Sequence, residues 1–265
     1  MKKRFFLDNS PEFSEYSIAS EKIPVGFDGF CIAHISDTHS RPVDGIFELV
    51  SGARPDIICL TGDMFHDNED SAPGFWALFE KLLKLAPVYL VTGNHDIWRD
   101  DAFLLLKKIT DMGGILLDTD CRILEKNGDE ISIFGVGDPF SKIPHIIEQN
   151  INAEFSKLPS FDGYKILLYH RANVFDKIKD FDFDLILSGH MHGGQIRLPV
   201  IGGTLAPTSA MLSGRMIFPK YTGGKYEYNG KTMIVNRGAS NTLHIPRFLN
   251  APEVGIIRLS HKNKA

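Results

Sequence analysis

The 265-residue chain predicts an α/β fold in which two β-sheets pack as a sandwich between flanking helices. Three observations lead there. Six short apolar runs, each bounded by turn residues, read as buried strands. Between several of them the apolar spacing shifts to the helical i, i+3, i+4 pattern. The last sixty residues or so are rich in Gly and Pro and carry strands with no helical stretch between them. That order suits a flanked sandwich better than one doubly wound sheet.

Taken in order, residues 30–36 (FCIAHIS) give the first run, and Ile46, Leu49 and Val50 give a helix after it. Residues 56–61 (DIICLT) are the next strand, followed by a helix carrying Phe75, Leu78, Phe79 and Leu82. Residues 87–92 (PVYLVT) form a third strand. Asn127-Gly128, between CRILEK and DEISIFGV, is the signature of a two-residue primed hairpin turn, so 131–136 pairs with the strand before it. Residues 165–169 (KILLY) and 184–188 (DLILS) are strands, with a short helix at Val174, Phe175 and Ile178 between them. KTMIVNRG and VGIIRLS complete the sheets. No composition break divides the chain, so residues 30–265 read as a single domain behind residues 1–29, an N-terminal tail and leading strand.

Composition excludes several classes. With 33 acidic and 29 basic residues the net charge is −4, which gives no electrostatic footprint for a stable nucleic-acid partner. Three cysteines do not make a disulfide framework, and Cys31 and Cys59 fall inside apolar runs, where buried reduced thiols are expected. Met1-Lys2-Lys3-Arg4 is followed by only three apolar residues, whereas a secretory core needs about 7–15. No run approaches the roughly 18 apolar residues of a spanning helix. A cytoplasmic location is expected, with Lys2, Lys3, Arg4, Phe5 and Phe6 as a peripheral membrane foot in the alternative reading.

The residues just after each strand form the informative pattern. Asp37-Thr38-His39 comes after the first, Gly62-Asp63 after the second, and Gly93-Asn94-His95-Asp96 after the third. KILLY runs into His170, and DLILS into Gly189-His190-Met191-His192-Gly193-Gly194-Gln195. Ligands of α/β sheets bind beyond the carboxyl ends of strands, so five strands deliver Asp, His and Asn to one rim. Asp37, His39, Asp63, Asn94, His170, His190 and His192 are seven candidate ligands. A single zinc site uses about four, so this set suits two metals sharing a bridging carboxylate. Two divalent cations offset by two aspartates and one hydroxide leave a net positive charge, which attracts a phosphate ester. Paired metals clamp the attacking and leaving oxygens of an in-line displacement and activate water. Imidazole with carboxylate suits manganese, iron or zinc.

These motifs resemble the calcineurin-like metallophosphoesterase superfamily over residues 30–195. The run Gly189–Pro199, with Asn236-Arg237-Gly238 and Pro246-Arg247-Phe248 through Pro252-Glu253-Val254, is similar to the YkuE/YaeI-type phosphodiesterase branch. The resemblance implies a four-layer α/β/β/α sandwich, the metallophosphoesterase fold. It implies one metal on Asp37, His39, Asp63 and His192, and a second on Asp63, Asn94, His170 and His190. Manganese is the favoured metal. His95 would bind no metal, contact the phosphate and protonate the leaving oxygen as general acid. Asp96 would orient His95, the alternative being a helix cap.

The implied function is a metal-dependent phosphodiesterase with a metal-bridging hydroxide as nucleophile, acting on a small phosphoester, lipid-linked and nucleotide-linked ones included. The alternatives are a pyrophosphohydrolase for a nucleotide-sugar lipid of the UDP-diacylglucosamine type and, less favoured, a protein phosphatase or a non-catalytic scaffold on the same fold. The chain departs from the family pattern in three ways. It shows no membrane or export segment before the first strand. His66-Asp67 stand where an Asp often lies three residues after the bridging one. Arg171-Ala172 replace a polar residue and Pro after His170, and Arg171 is read as a surface salt bridge, with a contact to a phosphate substituent as the alternative. Asp138, also at a strand end, reads as a turn residue with a supporting role at the rim as the alternative. Met211–Lys231 reads as a solvated loop, with a substrate lid or membrane-facing flap as the alternative.

Overall fold

A computed structural model describes residues 10–41, 44–66, 71–139, 144–207, 216–240 and 246–263, with only the helical backbone for 144–148. The basic tail at residues 2–6, Asp67, and residues 211–215 of the supposed loop lie outside the described residues. In chain order the elements are β1 (Glu12–Ser20), β2 (Cys31–Ile35), α1 (Ile46–Ala53), β3 (Ile57–Thr61), α2 (Pro73–Leu83), β4 (Val88–Val91), α3 (Asn94–Ile97), α4 (Ala102–Asp111) and β5 (Ile115–Leu116). They continue as β6 (Asp120–Lys126), β7 (Asp129–Val136), α5 (Pro144–Phe155), β8 (Lys165–Arg171), α6 (Phe175–Ile178), β9 (Leu185–Gly189) and the short pair β10 (Arg197–Leu198) and β11 (Gly202–Gly203). β12 (Gly224–Tyr228), β13 (Lys231–Val235) and β14 (Glu253–His261) close the chain.

Two six-stranded mixed sheets result, ordered β1-β14-β2-β3-β4-β5 and β12-β13-β9-β8-β7-β6. Period-two alternation splits each central strand between two cores. In β3, Ile57 and Cys59 join Ile133, Ile166, Leu187 and other residues of the second sheet in the layer between the sheets. Ile58 and Leu60 face the other way, onto Ile46 and Val50 of α1 and Phe75, Phe79 and Leu82 of α2. The second sheet repeats the arrangement, with Leu167 and Ile186 packing under Ile151 and Phe155 of α5 and Ile178 of α6. Strands buried on both faces explain why the runs in the sequence are nearly all apolar.

The parallel strands β2, β3 and β4 in one sheet and β8 and β9 in the other carry the polar clusters at their carboxyl ends. The Asn127-Gly128 turn joins antiparallel β6 and β7, with both residues at positive φ (54° and 85°), as a primed turn requires. The supposed loop before Lys231 is in part a strand. Residues 224–228 form β12, Tyr221 is buried, and the Lys231 ammonium donates to the carbonyls of Lys179 and Phe181. Helix α4 is obscured in the sequence by four consecutive apolar residues, Phe103–Leu106, of which Phe103 and Leu104 face solvent.

His34 in β2 is fully buried, and its Nε2 lies 2.8 Å from the Thr61 hydroxyl. Burial pushes its pKa down to about 4. The folded state therefore resists its protonation. The stability that this neutral form carries is complete above the ordinary histidine pKa near 6.5, and is lost as pH falls from there towards 4. The loss amounts to roughly 3 kcal/mol. Chemical denaturation of the metal-free protein at pH 7 and pH 4 measures it, and His34→Gln is expected to flatten that slope.

Candidate metal centre

Each functional side chain is set by a strand end. Asp37 and His39 follow β2, Asp63 follows β3, and Asn94 and His95 open α3 just after β4. His170 sits near the end of β8, where a register shift between Leu168 and Arg171 re-aims the chain, a common use of bulges beside sites. His190 and His192 follow β9. Asp37, His39, Asp63, His190 and His192 all have positive φ, between 46° and 74°. Non-glycine residues rarely adopt such angles, and strain concentrated this way marks a site that the surrounding fold holds in place.

The side chains converge in overlapping groups whose ligand atoms lie within 4.8 Å of one another: Asp37, His39 and His192; Asp63, His170 and His190; and His39, Asp63 and His95. Nε2 of His39 is 3.2 Å from Nε2 of His192 and 3.8 Å from Oδ1 of Asp37. Asp63 Oδ2 lies 3.2 Å from His170 Nε2 and 3.8 Å from His39 Nε2, so this one carboxylate touches both groups. Its other oxygen accepts the His95 backbone N–H at 2.8 Å. His170 Nδ1 donates to the Thr61 carbonyl at 2.7 Å, which leaves Nε2 facing inward as a ligand nitrogen.

The donor set fits cations. Asn94 is completely buried, and neither amide atom has a hydrogen-bond partner. His190 Nε2 is likewise buried and unpartnered. Buried polar atoms left in this way call for an ion or water to satisfy them. Burial pushes the pKa of His39 and His190 well below the usual value, and that of His192 to about 4, with the Arg171 charge adding to the effect at His190. Neutral imidazole is the ligand form. His170 goes the other way. Burial lowers it, but the adjacent Asp63 carboxylate outweighs burial and lifts it to about 10. A proton on His170 Nε2 therefore competes with a cation for the place beside Asp63.

Close approach at the rim requires glycine. A Cβ on Gly93 would lie 2.2 Å from Asp63 Oδ1 and 2.4 Å from the Asp63 backbone nitrogen. Gly93→Ala must push Asp63 out of place. We expect about 1–3 kcal/mol of lost stability, on the scale of overpacking, together with reduced metal content. Thermal melts and elemental analysis of the same preparation check both.

His95 is partly exposed over the groups, with its ring 4.9 Å from that of His39. Asp96 forms its hydrogen bonds with backbone: its oxygens accept the N–H groups of Phe65 (2.9 Å) and Gly93 (2.8 Å). It thus caps its own helix and ties the loop after β3 to the loop after β4, positioning His95 through the backbone instead of through the ring. Arg171 forms the ion pair that the sequence favoured, but inside the protein instead of at its surface. It is buried, and its Nε and Nη2 donate to both oxygens of Asp138. Asp138, also buried, receives that ion pair and donates its N–H to the Thr92 hydroxyl, so it is no turn residue.

Three residues near the site are not among its sequence candidates. His66 places its ring 5.4 Å from His95 and 5.8 Å from His39, and its only signal was its place where the family often has Asp. Arg247 is buried with Nη2 3.4 Å from His192 Nδ1, and Asn250 Nδ2 donates to the His192 carbonyl at 2.8 Å. Arg247 and Asn250 both lie in the Pro246–Pro252 stretch, whose polar residues stand alone between apolar ones.

Two mixed sheets flanked by helices, with Asp, His and Asn gathered at strand ends from both sheets, define the metallophosphoesterase class. The chain belongs to the calcineurin-like phosphoesterase family, whose model matches residues 31–194. It is 30% identical over 270 residues to the uncharacterized metallophosphoesterase YkuE of Bacillus subtilis, covering 98% of this chain and 89% of that one. The phosphodiesterase YaeI of Escherichia coli is 26% identical over 244 residues, 87% of this chain and 82% of its own. Among solved structures, the sulfate thiohydrolase SoxB of Thermus thermophilus shares the fold at TM-score 0.50 and 10% identity, over 88% of this chain and 57% of that one. Family membership supports a metal-dependent phosphoester hydrolase, and the His/Asp groups could hold the divalent ions the family implies. Among the described residues no helix is long and apolar enough to cross a membrane.

Proposed function

We propose that the protein is a two-metal phosphodiesterase for a small phosphoester, with manganese as the favoured metal. One observation carries this reading: the Asp63 carboxylate faces His39 on one side and His170 on the other, at the junction of two ligand groups. Asp37, His39 and His192 would hold one ion, Asn94, His170 and His190 the other, with Asp63 shared. When bound, such a pair of ions activates water and neutralises phosphoryl oxygens. The protein's own groups do the rest. His170 is fixed in its ligand tautomer by the Thr61 carbonyl. His95, held over the groups by its N–H bond to Asp63 and by the Asp96 cap, protonates the departing oxygen. The name of YaeI, a phosphodiesterase, favours the diester over the monoester. The complete ligand set with His95 argues against a scaffold that has lost catalysis.

Hydrolysis of an aryl phosphodiester with added manganese, by wild type and His95→Ala side by side, tests the reading. The variant should bind metal normally and lose about 10²-fold or more in kcat, the usual scale of general acid catalysis. Equal rates would remove His95 from the reaction. A wild type that binds metal and hydrolyses phosphomonoesters alone would overturn the diester assignment.

A further inference from the structure

His66 takes no part in the reaction as proposed, yet the fold fixes its backbone at both polar groups. Its N–H donates to Ser40 Oγ at 3.0 Å, and its carbonyl accepts from Arg99 Nη1 at 2.6 Å. Ser40 is buried, on left-handed backbone at φ 61°. Arg99 is buried between α3 and α4, and its Nε and Nη2 donate to the two oxygens of Asp101 at 2.7 and 2.9 Å. The residue before, Phe65, gives its N–H to Asp96. Segments after β2, β3 and α3 thus converge on the backbone of one residue. His66 itself is only half-buried. A solvated side chain gains nothing from such anchoring, whereas a group that must meet a ligand needs it.

Distance decides what the ring can touch. Among the described residues, the three groups whose ligand atoms lie within 4.8 Å of one another do not include His66, so it is not placed as a metal ligand. Its ring centre is 5.4 Å from that of His95 and 5.8 Å from that of His39. A hydrogen bond from a ring nitrogen puts the accepting oxygen about 4 Å from the ring centre. Two rings 5.4 Å apart and tilted by 36° can therefore both reach oxygens of one phosphoryl group. An imidazole has two ring nitrogens, so one can be held by the protein while the other donates to an anion. A charged phosphoryl oxygen is a strong acceptor for such a donor.

We propose that His66 is a substrate-binding residue whose ring donates to a non-bridging phosphoryl oxygen beside His95. The assignment rests on the two-metal reading and adds to it the residue that holds the phosphoryl group while His95 serves the departing oxygen. The test is calorimetric titration of inorganic phosphate into the manganese-loaded full chain, with metal content measured on the same preparations. Wild type should bind phosphate. His66→Ala should bind it at least about tenfold more weakly, the loss expected for a hydrogen bond to a charged group. His66→Phe keeps a ring against His39 and His95 without a donor and should be as weak. His66→Asn or His66→Gln, whose amides match Nδ1 and Nε2, should recover part of the binding. The bonds to Ser40 and Arg99 are made by the His66 backbone, so all four variants should keep the turn and the wild-type metal content.

Wild type that holds manganese but ignores phosphate, or His66→Ala or His66→Phe that binds phosphate as wild type does, would overturn the contact alone. So would loss of manganese in His66→Ala, which would make the residue a support of the metal groups, and failure of both amides to recover any binding. A wild type that takes up no manganese would overturn the two-metal reading and this contact with it. Calorimetry reads binding, so lack of hydrolysis would count against the reaction and not against His66.

Discussion

Asp63→Asn is expected to remove at least about three orders of magnitude in kcat/KM, the equivalent of several kcal/mol of lost charge stabilisation. Asparagine is nearly isosteric and tolerates the left-handed backbone that Asp63 adopts at φ 51°, so the turn should survive. The charge between the two ligand groups is lost. The carboxylate now accepts from the His95 N–H with one oxygen and faces His170 and His39 with the other. Burial opposes its ionisation, and its neighbours, His170 first and then His95, outweigh burial and hold it charged. An amide has one acceptor oxygen and an NH2 group that repels cations, so it cannot serve both sides. Metal content should fall below the wild-type stoichiometry in the same preparation. A variant within tenfold of wild type would mean that Asp63 does not join two ions.

Arg171→Met is expected to cost about 3–5 kcal/mol of stability, because it leaves the buried Asp138 carboxylate without its counter-charge. For a chain of this size that is a Tm lower by roughly 10 °C. Burial already pushes the Asp138 pKa up against the pull of the guanidinium. Arg171→Met with Asp138→Asn removes both charges and should recover most of the loss, since paired burial is costly to begin with. Thermal and urea denaturation of the two single variants and the double variant form the cycle. The phosphate contact, the alternative that the sequence left open, makes the opposite forecast: KM rises while Tm stays the same.

The strands that carry the site were legible because burial on both faces makes them short, continuous apolar runs, each ending at a cluster of Asp, His or Asn. The metal-ligand candidates were legible for the same reason, since strand ends in both sheets project to one rim. The Asp96 cap and the Arg171–Asp138 pair were not fully legible. Both depend on which residue comes to lie opposite in three dimensions: Phe65 is 31 residues from Asp96, and Asp138 is 33 from Arg171. Next to His170 an arginine suggested a surface ion pair or a ligand contact, but β8 turns it inward, onto the carboxylate just past the end of β7. β12 was hidden by its alternation of half-buried and exposed residues at the sheet's edge, which in sequence looks like a polar loop.

The central claim is that two ions share Asp63, and anomalous diffraction from crystals grown with manganese tests it most directly. The account predicts two peaks per chain, one among Asp37, His39 and His192 and one among Asn94, His170 and His190, with Asp63 oxygen reaching both. A single peak, or two peaks with Asp63 bound to only one, would contradict it.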